Sequence, residues 1–234
     1  MLQNFESIVL IWLGIGFITF ITLLKIPAPY GKFSKTNWGP MIPSKLGWIV
    51  MEIISPLALL YFFLNGNIEK TPTNITFISL WTLHYFNRSV IYPLRQNNPA
   101  QMPLIIAVLA FLFNVMNGYI NGTYFGSIQE YSAEYMSNWN FIVGVCLFII
   151  GAYINIKSDN ILLSLRSKSG EYKIPEGFMF RYVSFPNYLG EILEWMAFAL
   201  MTWSLAGLSF MIWTMANLVP RAIKGHQWYH SKFE

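Results

Sequence analysis

Four groups of polar residues in this chain stand inside or at the ends of apolar runs, where each is costly unless it is paired or solvated. The first is Glu52, in the middle of Trp48-Ile-Val-Met-Glu52-Ile-Ile. In an apolar setting a carboxyl group favours its neutral form, and a neutral acid can donate a hydrogen bond to a carbonyl oxygen. A structural bond to a neighbouring helix is the alternative, but the cost of the placement favours chemistry. The second group is Leu83-His84-Tyr85-Phe86-Asn87-Arg88 with Tyr92. At helical spacing Tyr85, Arg88 and Tyr92 share one face. That pattern equally suits an interfacial belt, with tyrosine as anchor and arginine reaching outward.

The third group is Asn155, Asp159 and Arg166, which lie four and then seven residues apart and so line one stripe of a helix. Arginine holds phosphate bidentately and aspartate accepts from ribose hydroxyls, so the stripe suits a polyol phosphate. Simple solvation of Asp159 and Arg166 is the alternative. The fourth is Asn187-Tyr-Leu-Gly-Glu191-Ile-Leu-Glu194, directly after Phe185-Pro186. Asn187 is expected to cap the helix, with Glu191 and Glu194 on the same face below it. Such carboxylates can act as acid or base, accept from amides and hydroxyls, or pair with arginines of the adjoining loops.

The elements that carry these groups follow from composition. The 234 residues are 55% hydrophobic and only 11% charged, against about a quarter charged in a soluble domain. A span of bilayer needs about 20 apolar residues as a helix. Seven runs come near that length: Ser7–Leu24, Leu46–Leu64, Ile75–Tyr92, Pro103–Ile120, Trp139–Ile156, Tyr188–Trp203 and Ala206–Val219. The last two are read as separate helices joined by a turn around Ser204–Leu208. The expectation is an all-α polytopic membrane protein with seven crossings, forming a single domain over 1–234. Most cofactor-type motifs fall in 139–234.

Charge orients the chain. Of the fifteen Lys and Arg residues, all but Lys70 fall on one face once the runs are threaded through a membrane. Positive residues stay cytoplasmic, so the N-terminus is expected outside and the C-terminus inside. The membrane itself is either a bacterial inner membrane or the endoplasmic reticulum. The net charge of +4 is then a topology signal and not a nucleic-acid footprint. The first run carries Glu6 and no preceding basic residue, unlike a cleaved leader. Gly14-Ile-Gly16 sits inside an apolar run and opens no dinucleotide-binding turn. His84, His226 and His230 are scattered, and Cys146 is the lone cysteine, so no metal site is expected.

Several stretches together carry a resemblance. Leu83-His84-Tyr85-Phe86-Asn87-Arg88, Asn155-Ile156-Lys157-Ser158-Asp159, Leu165-Arg166, Tyr172-Lys173-Ile174-Pro175, Asn187 through Trp195, and His226-Gln227-Trp228-Tyr229 resemble the steroid 5α-reductases. Ala28 through Phe33 and the segment around Trp48 and Glu52 agree as well. The resemblance implies an NADPH-dependent membrane enzyme that reduces the 4,5 double bond of 3-oxo-4-ene steroids. It implies that Glu52 and Tyr85 hydrogen-bond the substrate's C3 carbonyl. It further implies cofactor contacts by Asn155, Asp159, Arg166, Asn187 and Glu191, and also by Arg88, Tyr92, Tyr172, His226 and Tyr229. Partners are then a steroid or similar apolar enone and the surrounding lipid, with no nucleic acid and no obligate protein partner. One departure stands out: the family carries a run of histidines after its last helix, whereas here Lys224-Gly225 precede a single His226.

Three other readings compete. A reductase of another enone, enoyl thioester or polyprenol would share most of these features. An integral-membrane S-adenosylmethionine-dependent methyltransferase would have no use for donors aimed at a carbonyl. A small transporter would spread its ionisable residues across the bilayer, often with internal symmetry, and this chain does neither.

Overall fold

The structure, a computed structural model, describes residues 2–96, 100–166 and 173–233, the side chain of Arg166 excepted. Helix dominates it. The long helices are α1 (Leu2–Lys25), α2 (Ser44–Leu64), α3 (Pro72–Phe86), α4 (Leu104–Thr123), α5 (Trp139–Arg166), α6 (Pro186–Thr202) and α7 (Leu205–Phe233). Each apolar run of the sequence lies mainly in one of them. Among the described residues, four stretches are long and apolar enough to cross a membrane: Leu2–Lys25, Ser44–Leu64, Leu104–Ile128 and Trp139–Leu165. Their outer faces expose large apolar side chains such as Leu10, Phe17, Leu57 and Leu112, a surface that suits lipid and not water.

Several local details depart from the sequence reading. The turn between the last two helices falls at Trp203 and Ser204, not over Ser204–Leu208. Trp203 takes a left-handed conformation (φ 45°) that stops α6. Helix α7 does not end at Val219 but runs through Pro220 to Phe233. Its last turns carry Tyr229 against Phe185, with ring centroids 5.6 Å apart, so packing sustains helix where hydropathy has ended. After α3 the backbone widens into a π-helical turn, Asn87–Ile91, and resumes α-helix at Tyr92–Leu94. A short antiparallel pair, Met41–Pro43 with Gln101–Pro103, is the strand content among the described residues, with Ile42 opposite Met102.

The residues sort by contact into two compact units. The first holds Met1–Glu6 and Ala28–Asn138 and contains α2, α3 and α4. Thr71 caps α3 by accepting from the Asn74 backbone N–H (3.3 Å), with Pro72 preset for the first turn. Helices α2 and α4 approach through Gly118 and Gly122, spaced as in small-residue membrane-helix contacts. A β-carbon at Gly118 would lie 2.6 Å from the Ala58 β-carbon, and one at Gly122 would lie 2.5 Å from the Leu59 carbonyl oxygen. Gly118→Val should therefore destabilise the protein by about 1–3 kcal/mol, read as a lower thermal midpoint in detergent. An unchanged midpoint would contradict this packing.

The second unit holds Ser7–Pro27 and Trp139–Glu234, with most of α1 and all of α5, α6 and α7. Trp213 of α7 stacks on Trp12 of α1 at 4.5 Å, and its indole N–H donates to the Trp12 carbonyl (3.1 Å). Helices α5 and α6 meet at backbone distance. A β-carbon at Gly151 would lie 2.7 Å from the Gly190 carbonyl oxygen, and one at Gly190 would lie 2.5 Å from the Asn155 backbone nitrogen. That closeness lets short polar side chains on the two helices reach each other.

Candidate functional site

In the first unit, Tyr85 of α3 is buried, with 5% of its surface exposed. Its ring stacks on Trp81 (5.7 Å, 24°), and the Trp81 indole N–H donates to the Ser55 hydroxyl (3.1 Å). These contacts pin the phenol ring against α2. Its hydroxyl donates to the Asn114 side-chain oxygen (3.2 Å), and the Asn114 amide nitrogen donates to the Met51 carbonyl (2.6 Å). One asparagine thus ties the Tyr85 hydroxyl to the backbone of the residue that precedes Glu52. Glu52 itself is half-buried on α2.

Asn114 was not among the residues singled out in the sequence. A cue was present, because α4 places Asn114, Asn117 and Asn121 within an apolar run and all three are buried. The expense argument applied to ionisable groups applies to amides too.

Arg88 lies in the π-helical turn and is buried. Its guanidinium sits over the Trp48 ring at 5.1 Å and over the Tyr92 ring at 5.2 Å. The sequence left open whether Arg88 reaches out to an interface; here it is held between two aromatic faces. A turn widened by one residue is how the helix accommodates that arrangement, and such turns recur at functional sites.

In the second unit, Asn155 and Asp159 on α5 and Asn187 on α6 form one buried chain. The Asn155 amide donates to the Asn187 backbone carbonyl (2.9 Å). The Asn187 amide donates to the Asp159 carboxylate (3.0 Å). The expectation that Asn187 caps α6 is not met. Phe185 holds the cap position without a side-chain bond and Pro186 opens the helix. The Asn187 side chain reaches across to Asp159 because the Gly151–Gly190 crossing brings the helices within its short span. Its oxygen Oδ1 is buried and has no hydrogen-bond partner among the described residues. A buried amide oxygen without a protein donor can accept from water or from a ligand.

Glu191 is half-buried one turn further along α6, and Glu194 is buried. The Tyr188 hydroxyl accepts from Arg221 Nε (2.9 Å). Arg166 ends α5, and Tyr172 lies outside the described residues. His226 and Tyr229 sit on the last turns of α7. Together with Ile174, Pro175 and Ser184 they line an open cavity of about 210 Å³. The Ser184 hydroxyl and His226 Nδ1 are 2.7 Å apart. The chain therefore brings Asn155, Asp159 and Asn187 into direct contact in one unit, and Tyr85 with the backbone beside Glu52 in the other. No group of three or more metal-ligating side chains occurs among the described residues.

Chemically, the first arrangement offers a buried phenol tied to the backbone that precedes a half-buried glutamate. The second offers amides and a carboxylate of the kind that hold sugar hydroxyls and carboxamides. Comparison with known proteins gives the same direction. A family profile described as 3-oxo-5-alpha-steroid 4-dehydrogenase matches residues 100–234. The steroid 5-alpha-reductase DET2 of Gossypium hirsutum is 42% identical over 92% of this chain and 86% of its own length. That of Solanum lycopersicum is 42% identical over 98% and 91%. The 3-oxo-5-alpha-steroid 4-dehydrogenase 1 of Rattus norvegicus is 36% identical over 94% and 86%.

Proposed function

Because this chain belongs to the 3-oxo-5-alpha-steroid 4-dehydrogenase family, an oxidoreductase family acting on carbon–carbon bonds, we propose that it reduces the 4,5 double bond of 3-oxo-4-ene steroids with NADPH. The observation that carries this reading is the bond network in which Asn114 joins the Tyr85 hydroxyl to the Met51 carbonyl, next to Glu52. It fixes a buried hydroxyl donor beside the backbone that bears a carboxyl group.

The residues of the second unit fit the cofactor. Asp159 and Asn155 suit ribose hydroxyls, and the unsatisfied Asn187 Oδ1 suits a carboxamide or hydroxyl donor. Glu191, Tyr172, His226 and Tyr229 complete the proposed contacts in that unit, and Arg166 is assigned to phosphate. When bound, NADPH supplies the hydride that adds to the β-carbon of the enone. As negative charge gathers on the C3 oxygen, neutral Glu52 and the Tyr85 hydroxyl donate to it. Preorganised donors of this type are worth about 3–4 kcal/mol each. The enolate then takes a proton from water at the α-carbon, which completes the reduction.

The same reading orients the chain. Seven crossings with the N-terminus outside place every basic residue but Lys70 on the cytoplasmic face. An anionic soluble cofactor reaches its residues from that face, and an apolar steroid arrives through the bilayer. Reconstituted protein given NADPH and a panel of enone lipids, with products identified by mass, tests the substrate class. Reduction of an enoyl thioester or a polyprenol and not of steroids would replace the proposed substrate. Methyl transfer from labelled S-adenosylmethionine would replace the reaction. Arg166→Glu should raise the NADPH KM by about tenfold or more, since it reverses a charge assigned to phosphate. An unchanged KM would place the phosphates elsewhere.

A further inference from the structure

We infer that Asn114 is a positioning residue for the reaction: it is the resting acceptor of the Tyr85 proton, and it locks that phenol to the backbone beside Glu52. The inference rests on the reading of Tyr85 as a donor to the ketone oxygen.

The orientation of the Asn114 amide follows from its partners. Its nitrogen donates to the Met51 carbonyl at 2.6 Å. The reverse orientation would set two acceptor oxygens against each other. The atom that faces Tyr85 is therefore Oδ1, which can only accept. The phenol must then be the donor in the 3.2 Å contact, and its proton points at Asn114. Stacking on Trp81 holds the ring independently, and Trp81 is itself anchored by Ser55. The oxygen can thus keep its place while its proton turns about the C–O bond. A ketone oxygen that arrives beside the phenol competes with Asn114 Oδ1 for that one proton. Asn114 in this way keeps the phenol aligned before substrate binds.

Two neighbours on the same helix donate their amides within it. Asn117 Nδ2 donates to the Phe113 carbonyl (2.8 Å) and Asn121 Nδ2 to the Asn117 carbonyl (3.1 Å), both within α4. Asn114 instead spends its amide on α2 and its oxygen on α3.

The test is a double-mutant cycle on the full-length protein in lipid, with NADPH and a 3-oxo-4-ene steroid. Asn114→Leu should lower kcat about tenfold and leave the steroid KM within about threefold. Combined with Tyr85→Phe it should add almost nothing, because its effect passes through the phenol. Asn114→Asp, which in neutral form keeps both a donor and an acceptor, should recover most of the lost turnover. It also serves if the leucine variant does not fold. Full turnover of Asn114→Leu, an equal loss in the Tyr85→Phe background, or an aspartate variant that folds but is as impaired as leucine would each overturn the proposal. Full turnover of Tyr85→Phe alone would instead remove the donor reading beneath it.

Discussion

Tyr85→Phe is expected to reduce kcat for a 3-oxo-4-ene steroid by about 10²–10³-fold, the typical loss of one oxyanion donor. The substitution keeps the ring, so the stack on Trp81 survives and the fold should not suffer. It removes only the hydroxyl, and leaves Asn114 Oδ1 without that donor. Glu52→Gln should cost less, because an amide still donates, though weakly. Glu52→Leu should approach the tyrosine effect. In each case the loss should fall on kcat more than on the steroid KM, since the hydrogen bonds strengthen as charge develops. Both Tyr85→Phe and Glu52→Leu turning over steroid at the parent rate would sink the proposed carbonyl clamp.

The second large effect is expected at Asp159. Its carboxylate accepts from Asn187 Nδ2 in a buried setting. Asp159→Ala strands that donor, which costs about 1–3 kcal/mol, and deletes an acceptor assigned to the cofactor's ribose. The NADPH KM should rise by about 10–100-fold while the thermal midpoint falls, the cofactor loss amounting to roughly one to two hydrogen bonds to a charged group. Asp159→Asn separates the two roles. An asparagine oxygen can still accept from Asn187, so stability should return. The charge-assisted bond to a sugar hydroxyl does not return, so the cofactor requirement should stay raised. An NADPH KM unchanged in Asp159→Ala would exclude Asp159 from the cofactor site.

Some of this site was legible in the chain before any fold was known. Asn155 and Asp159 are four apart where the Trp139–Ile156 run ends, and a helix continued there must set them on one face. Glu52 stands out because an ionisable group in such a run needs a reason, whereas the spacing of Tyr85 suits an interfacial belt equally and its role comes only from the resemblance. Asn114 is less legible because it is uncharged and its two partners lie on other helices. The role of Asn187 was misread because capping is a local expectation, while its actual partner lies 28 residues away on another helix. Nothing local announces a widened turn after Phe86, or the pairing of Met41–Pro43 with Gln101–Pro103. Both depend on contacts made by distant segments.

What the chain alone determined is what depends on periodicity and solvent preference: the apolar helical segments and the chemical types that line each helix face. Tertiary structure decided which faces meet. The glycines at 118, 122, 151 and 190 show why. Their missing side chains are visible in the sequence, but only the crossing partner turns that absence into backbone contact. Contact at that range is what allows an amide as short as Asn114 or Asn187 to bridge two helices.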